Sequence, residues 1–429
     1  PRVLLKGGVL ATLDPVSVGS GDLRIGEGRI VERGGGLMPA LGEETVDLQG
    51  RLVLPGLVNA HTHLYSALAR GMPGPAVPPR NFVDVLERVW WRLDRALDEE
   101  SVYLSALVGG MEAALSGTTL LVDHHSSPSF IRGSLAVIRR ALEEVGLRSL
   151  LCYEVTDRNG TAGREEGLQE NREFAGQATA LTASMIGAHA SFTLSDEALA
   201  ALGRTVAETG RALHIHVAED QADVEDCRRT HGASLPERLQ RHALLAHALL
   251  AHCVHLRPEE VGAVHAQGAW IAHNPRSNMN NHVGYAPTAS LRRAALGTDG
   301  MDEDMLAEAR AAFLKMRDHG RGDALPATLE LLAGGHRLAA ALLGLPFGKL
   351  EAGGPADLVV LDYVPPTPID AANLGGHLLF GIDRSHVEAV LVAGRWVVRG
   401  RRLATVDAAA ACARAREAAR ALWGRMAAL

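Results

Sequence analysis

Two histidines one residue apart, His61 and His63, close an apolar run that opens with Pro55 and Gly56. Side chains two apart on a strand leave on the same face, with Cα atoms about 6–7 Å apart. Both imidazoles can then reach one ion at a metal–nitrogen length of about 2 Å. With 19 histidines in 429 residues, such a pair says little by itself. Its position at the end of a strand-like run, after a turn signal, gives it weight. Later apolar runs end in further polar groups: Asp123 with His124 and His125, His189, His216 with Glu219, His252, His273 with Asn274, and Asp299.

The chemistry that uses such a set is water activation by one divalent ion. Zinc lowers the pKa of a water it binds from about 15.7 to about 7, so hydroxide becomes available near neutrality. His61, His63 and His216 would supply neutral nitrogens, and Asp299, in Leu-Gly-Thr-Asp-Gly, a carboxylate that is ligand and base at once. Glu219 is placed to move a proton between water and substrate, and His252 to hold the hydroxide or polarise the group under attack. His189 is read as a substrate contact, His273 as a brace for Asn274, and His214 as a deeper, structural residue on the His216 face. Each has a plain alternative: Asp299 could form a turn and Glu219 could cap a helix. Their shared place on ordered strand ends favours a site.

Those ends must be brought to one rim. From Pro55 onward, strand and helix patterns alternate: after the first strand, strands are expected at 118–123, 147–155, 184–189, 212–219, 248–254, 269–274 and 294–299. Helices are expected at 81–97, 101–115, 131–145, about 166–178, and from a Ser195 and Asp196 cap to 209. This predicts an α/β fold, a (β/α)8 TIM barrel with its chemistry at the C-terminal ends of the strands. Only the third strand's end lacks a polar group close to its apolar run. Residues 1–54 read as short strands among Gly turns, and so do stretches at 356–362, 387–392 and 395–398. The two ends are expected to form a small β-sandwich domain from segments 1–54 and 351–429, the latter with a terminal helix, beside a 55–350 catalytic barrel.

Composition narrows the class. The 43 Lys and Arg against 50 Asp and Glu give a formal charge of −7, with no basic run for nucleic acid. Cys152, Cys227, Cys253 and Cys412 lie far apart without a CxxC, which argues against a disulfide scaffold and for a reducing compartment. The opening residues lack a secretory pattern, and the longest uncharged stretch, about 176–195, is too polar for lipid. A cytoplasmic protein without membrane contact is expected.

The stretches Pro-Gly-Leu-Val-Asn-Ala-His61-Thr-His63, His214-Ile-His216-Val-Ala-Glu219, Ala-His252-Cys-Val-His-Leu, His273-Asn274-Pro-Arg276-Ser-Asn278 and Leu-Gly-Thr-Asp299-Gly resemble, in order, the motifs of the amidohydrolase superfamily. The branch is that of guanine deaminase, the triazine hydrolases and the adenosine-type deaminases. The segment 348–362 resembles the return of such chains to their β domain. Trp90-Trp91 and the stretches around Asp123 and Arg276 look like SsnA-type aminohydrolases. The resemblance implies one metal, zinc or alternatively iron, since His189 stands where binuclear relatives carry a bridging Lys. It implies deamination of an amino-substituted N-heterocycle: Glu219 protonates a ring nitrogen, Asp299 takes the water proton, and ammonia leaves. Arg276, Asn278 and Asn274 join His189 as expected substrate-binding residues, and a homodimer or higher homo-oligomer is expected. Ser66 stands where guanine-type enzymes tend to carry Gln, which makes guanine a poorer fit. Hydrolysis of a cyclic amide or a halogenated heterocycle is the alternative reaction, and a non-catalytic barrel the alternative class. Specificity is expected in loops 65–82, 124–133, 156–165 and 276–293.

Overall fold

The computed structural model describes residues 2–429. Eight parallel strands, Leu57–Thr62, Thr118–His125, Arg148–Val155, Ile186–Ala190, Leu213–Val217, Leu249–His252, Trp270–His273 and Ala294–Leu296, pair in chain order as the expected barrel. Every residue in them is buried. Burial on both faces explains why the sequence shows continuous apolar runs rather than alternation. Helices Glu99–Leu115, Ser134–Val145, Gly160–Ala175 and Asp196–Thr209 lie between them. Ser195 caps the last of these, its hydroxyl accepting from the Ala198 N–H at 3.2 Å.

Closure comes at one seam. The first and last strands share no ladder; instead the Thr298 and Asp299 N–H groups both donate to the His61 carbonyl at 2.9 Å, and the His63 N–H donates to the Asp299 carbonyl at 3.2 Å. Beneath it, the buried Asn59 amide nitrogen lies 2.6 Å from both Thr298 Oγ1 and Glu303 Oε2. Only glycine fits at 297, because an added Cβ would meet Asn274 Oδ1 at 2.4 Å and the His61 nitrogen at 2.9 Å.

Several strands end sooner than the apolar runs suggest. The fifth stops at Val217, the sixth at His252 and the eighth at Leu296. Just beyond or at those ends, Ala218, His252, Cys253 and Asp299 adopt positive φ (50°, 74°, 51° and 54°). Residues other than glycine pay for that conformation, and here it turns the chain out of the ladder at the rim where side chains must converge.

The terminal segments form the expected small β domain from one hydrogen-bonded sheet of nine strands: Leu52–Pro55 pairs with Leu358–Leu361 and joins the N-terminal strands to the C-terminal ones. Residues of both halves, among them Val3, Leu23 and Ile30 with Leu358, Val360 and Leu391, close on one apolar core. Val53, Leu358, Val360, Ala389 and Leu391 face an inner apolar core. Leu52, Leu54, Val359, Leu361 and Val390 belong instead to the core shared with the barrel's helices. The terminal helix Ala408–Ala428 lies against the barrel, with Trp423 Nε1 donating to the Leu68 carbonyl at 2.9 Å and Arg425 Nε to that of Ala96 at 2.7 Å.

A buried ion pair ties sheet to barrel: Arg148 of the third barrel strand meets Asp357 through Nε at 2.8 Å and Nη2 at 3.1 Å. Removing one partner leaves the other charge buried and uncompensated. Arg148→Leu is expected to cost about 3–5 kcal/mol, read as a lower denaturation midpoint in urea. A midpoint unchanged within error would refute the pair's structural role.

Candidate active site

The side chains at the C-terminal ends of the strands meet on one cavity floor. His63 Nε2 lies 3.0 Å from His216 Nε2 and 3.0 Å from Asp299 Oδ1, and His61 Nε2 lies 3.2 Å from the same oxygen. Each ring's other nitrogen is engaged behind it. His63 Nδ1–H donates to the His124 carbonyl at 2.6 Å and His216 Nδ1–H to that of His189 at 2.8 Å. His61 Nδ1 meets His214 Nε2 at 2.9 Å. These outer bonds fix the rings with Nε2 forward, as ligating histidines require. His214 is therefore the orienting partner of His61.

Whether this set suits a cation can be judged from its lone pairs. With both Nδ1–H groups committed, His63 and His216 aim two Nε2 acceptors at each other and at a carboxylate oxygen. That arrangement repels unless positive charge lies among them. Burial would push His63 down, yet the hydrogen bond and charge of Asp299 override it and raise the imidazole to about 9. Burial would push Asp299 up, but His61 and His63 hold it well below the usual carboxylate range. His61, where burial dominates, falls to about 3, and burial drives His216 down likewise. His61 and His216 thus stay neutral while the cluster draws a positive charge onto His63; a divalent ion among the same three imidazoles and the carboxylate would supply that charge instead. His124 faces the same space: its Nε2 donates to the carbonyls of Ala188 (3.0 Å) and His214 (3.2 Å), its Nδ1 has no hydrogen-bond partner, and with His63 and His216 it offers a second set of nitrogens within 4.8 Å of one another.

The proton-transfer candidates stand beside this cluster. His252 Nε2, buried and without a hydrogen-bond partner, lies 3.4 Å from Glu219 Oε2 and 4.0 Å from Asp299 Oδ1. Its Nδ1 is held by Asn278 Oδ1 at 2.8 Å. Burial, opposed by His252 and helped by a smaller push from the Asp299 charge, raises Glu219 to about 7. Ser277 Oγ makes a short hydrogen bond to Asp299 Oδ2. Asn281 Nδ2 donates to Glu219 Oε1 at 3.3 Å.

A cavity of about 820 Å³ opens above, and His189, Ser66, Tyr65, Trp90, Trp91 and Phe192 are part of its wall. Three expected substrate contacts lie elsewhere. Arg276 is spent on Glu308 Oε2 and on Asp302, with Nη1 at 2.6 Å from Asp302 Oδ1, and it is not part of the cavity wall. Asn278 and Asn274 sit behind His252, the latter with Nδ2 3.3 Å from His252 Nδ1. Loops 124–133 and 156–165 do not reach the cavity, whereas Phe82, Leu86, Trp90, Trp91 and Asp94 do. The third strand is not bare: it carries Glu154, which lines the cavity and meets His124 Nδ1 at 3.4 Å. Burial would raise it, but His189, His124 and Arg158 hold it well below the usual range. The alternation of Tyr153-Glu154-Val155 is the signal for it, a charged residue one step inside an apolar run.

A parallel (β/α)8 barrel that gathers three imidazoles and a carboxylate at its rim, with a glutamate and a histidine adjoining, defines a hydrolase working through a metal ion. A model of the amidohydrolase family matches residues 52–397, and the chain belongs to that family. It is 34% identical over 408 residues, 90% of this chain and 91% of the relative, to the 5-methylthioadenosine/S-adenosylhomocysteine deaminase of Desulforudis audaxviator. It is 30% identical to the 5'-deoxyadenosine deaminase of Methanopyrus kandleri, over 95% and 96% of the two chains. Among solved structures, an adenosine deaminase from Xanthomonas campestris with bound zinc superposes with a TM-score of 0.85 at 23% identity, over 100% and 99% of the two chains. The zinc complex of atrazine chlorohydrolase from Arthrobacter aurescens gives 0.80 at 22% identity, over 98% and 100%. With deaminases as its relatives, the chain is a hydrolase of carbon–nitrogen bonds. Among the described residues, no helix is long and apolar enough to cross a membrane.

Elemental analysis tests the cluster directly. His63→Ala and His216→Ala are each expected to lose bound divalent metal, and chelation is expected to lower the Tm of the unmodified chain but not of these variants. Full metal content in either variant would place the ion elsewhere.

Proposed function

We propose that the chain holds one ion, with zinc the best fit, and releases ammonia from an amino-substituted N-heterocycle, a 6-aminopurine nucleoside in particular. The observation that carries this is the opposite displacement of two neighbouring carboxyl groups: Glu219 is pushed up to about 7 while Asp299 is held well below its ordinary range. Such a split assigns an acid and a base on one floor. The names of the two relatives above, a 5-methylthioadenosine/S-adenosylhomocysteine deaminase and a 5'-deoxyadenosine deaminase, support the ring class and favour ammonia over chloride as the leaving group.

His61, His63, His216 and Asp299 would hold the ion, which when bound supplies a Lewis acid that makes water a nucleophile near neutrality. Asp299, with Ser277 fixing its Oδ2, takes the proton of the attacking water through Oδ1. Glu219 delivers a proton to the ring nitrogen beside the carbon under attack, and Asn281 steadies its other oxygen. His252, braced by Asn278, bears on the attacking oxygen, and His189 contacts the substrate from the wall. Asp299 then passes its proton to the exocyclic amino group, Glu219 recovers one from the new hydroxyl as the carbon–nitrogen bond breaks, and ammonia leaves. The four unpaired cysteines support a reducing, cytoplasmic setting.

A glutamate that must start protonated loses activity as pH rises through its pKa. The alkaline limb of kcat/KM is therefore expected near pH 7, where Glu219 titrates. Glu219→Gln is expected to lower kcat by about 10²–10⁴ while metal content stays at the unmodified level. Ammonia release from adenosine or 5'-methylthioadenosine, followed by a coupled assay, checks the reaction itself. Turnover of cyclic amides with no ammonia from any aminopurine would overturn it.

A further inference from the structure

The outer bond of His61 differs in kind from those of His63 and His216. Each of those two donates from Nδ1 to a backbone carbonyl, which can only accept, so its Nε2 is left bare. His61 Nδ1 instead meets a second imidazole, His214 Nε2, at 2.9 Å. Two neutral imidazoles can share one proton in either direction. With the proton on His61 Nδ1, the Nε2 that faces Asp299 Oδ1 at 3.2 Å carries a lone pair. With the proton on His214 Nε2, His61 holds its own proton on Nε2 and has no lone pair to offer there. The contact between the two rings does not choose.

The choice is made deeper in the barrel. His214 Nδ1 lies 3.7 Å from Cys152 Sγ, and that sulfur lies 3.5 Å from the Asp123 carbonyl oxygen. His61, Cys152 and His214 have no exposed surface, in an interior otherwise filled by side chains such as Val122, Leu150 and Leu249. Gly187 leaves room for the sulfur, since an added Cβ there would stand 3.0 Å from Sγ. Burial, with the Asp123 and Glu154 carboxylates, pushes the Cys152 thiol well above its ordinary pKa, so the sulfur keeps its proton. A carbonyl oxygen can only accept, and it takes that proton as a hydrogen bond. The lone pairs of the sulfur then face His214 Nδ1–H. His214 Nε2 is thereby bare and accepts from His61 Nδ1–H. Every donor in this chain points away from the site, and the last acceptor is a peptide group.

We propose that Cys152 is a positioning residue: it anchors a one-way hydrogen-bond chain, His61 to His214 to Cys152 to the Asp123 carbonyl, that holds His61 in the tautomer whose Nε2 is bare. The proposal rests on the reading of His61 as a metal ligand and deepens it. It invokes no change of charge, because it concerns which nitrogen of each neutral ring bears the proton. The opposite direction, with the thiol donating to His214, would leave His61 unable to ligate through Nε2.

The pair Cys152→Ala and Cys152→Ser separates hydrogen bonding from packing. Both remove the sulfur and leave a similar space, but only serine can still accept from His214 and donate to Asp123. In chelator competition, Cys152→Ala is expected to bind zinc about tenfold more weakly than the unmodified chain, and Cys152→Ser to recover most of that loss. Equal affinities in the two variants would overturn the proposal. Nitrogen chemical shifts of the zinc-loaded, histidine-labelled unmodified chain give a readout that needs no variant at 152. The His214 signals, identified by their loss in His214→Gln, are expected to show the proton on Nδ1; a proton on Nε2 refutes the chain whatever the affinities. An unmodified chain that holds no zinc would fail the metal site itself, whereas tightly held zinc with the His214 proton on Nε2 fails only the role given to Cys152.

Discussion

Closing an eight-stranded parallel sheet requires its first and last strands to meet, and in this chain the meeting is made by the residues whose side chains form the imidazole–carboxylate cluster. The His61 carbonyl receives two N–H groups from the 298–299 turn while the His61 ring points the other way, at Asp299. Gly297 lets the strands approach, and Asn59 with Glu303 packs beneath. Barrel closure and assembly of the cluster are thus one event. A chain that mispaired its first and eighth strands would lose both, and a chain that formed the seam has already set two of its imidazoles and the carboxylate within reach of one ion.

The seam also sets the electrostatics. Positive φ at Asp299 and His252 aims both side chains inward instead of along their strands, a backbone cost of order 1–3 kcal/mol each that the surrounding packing and a bound cation can offset. Inward aim puts Asp299 among imidazoles, which stabilise its charge, and leaves Glu219 on the side where burial dominates. Two carboxyl groups of nearly equal intrinsic strength therefore end far apart, one near neutrality and the other well below its ordinary range. That separation follows from where the backbone places each group, not from residue type.

What the sequence made legible follows the same logic. Strand ends could be read because a buried parallel strand is a plain apolar run, and His61, His63, His216, His252 and Asp299 stand where such runs break. Arg276 was misleading because residue type cannot show that Glu308, thirty-two positions later, turns back to bind it. Asn278 and Asn274 look exposed in a polar stretch, but the short helix Pro275–Asn280 turns them behind His252. Glu154 escaped notice because a single charge inside Leu-Leu-Cys-Tyr-Glu-Val is weak against the hydrophobic pattern. Asp94, which pairs with Arg158, was hidden in a helix whose Trp90-Trp91 pair reads as packing. The terminal β domain was legible from alternation, which does not reveal that its other face is covered by the barrel's helices.

That second covered face bears on the site. Leu52, Leu54, Val359 and Val390 pack against the barrel's own helices, and Arg148 reaches out of the third strand to Asp357 at the edge of the terminal sheet. The same third strand carries Glu154 at its other end, inside the cavity. A strand of eight residues anchored at its base by a bidentate ion pair has little freedom to slide. The position of a buried carboxylate on a cavity wall depends on such fixity, because a shift of one residue would carry it to the strand's opposite face. The appended sheet therefore holds the register of a strand whose far end forms part of the cavity wall.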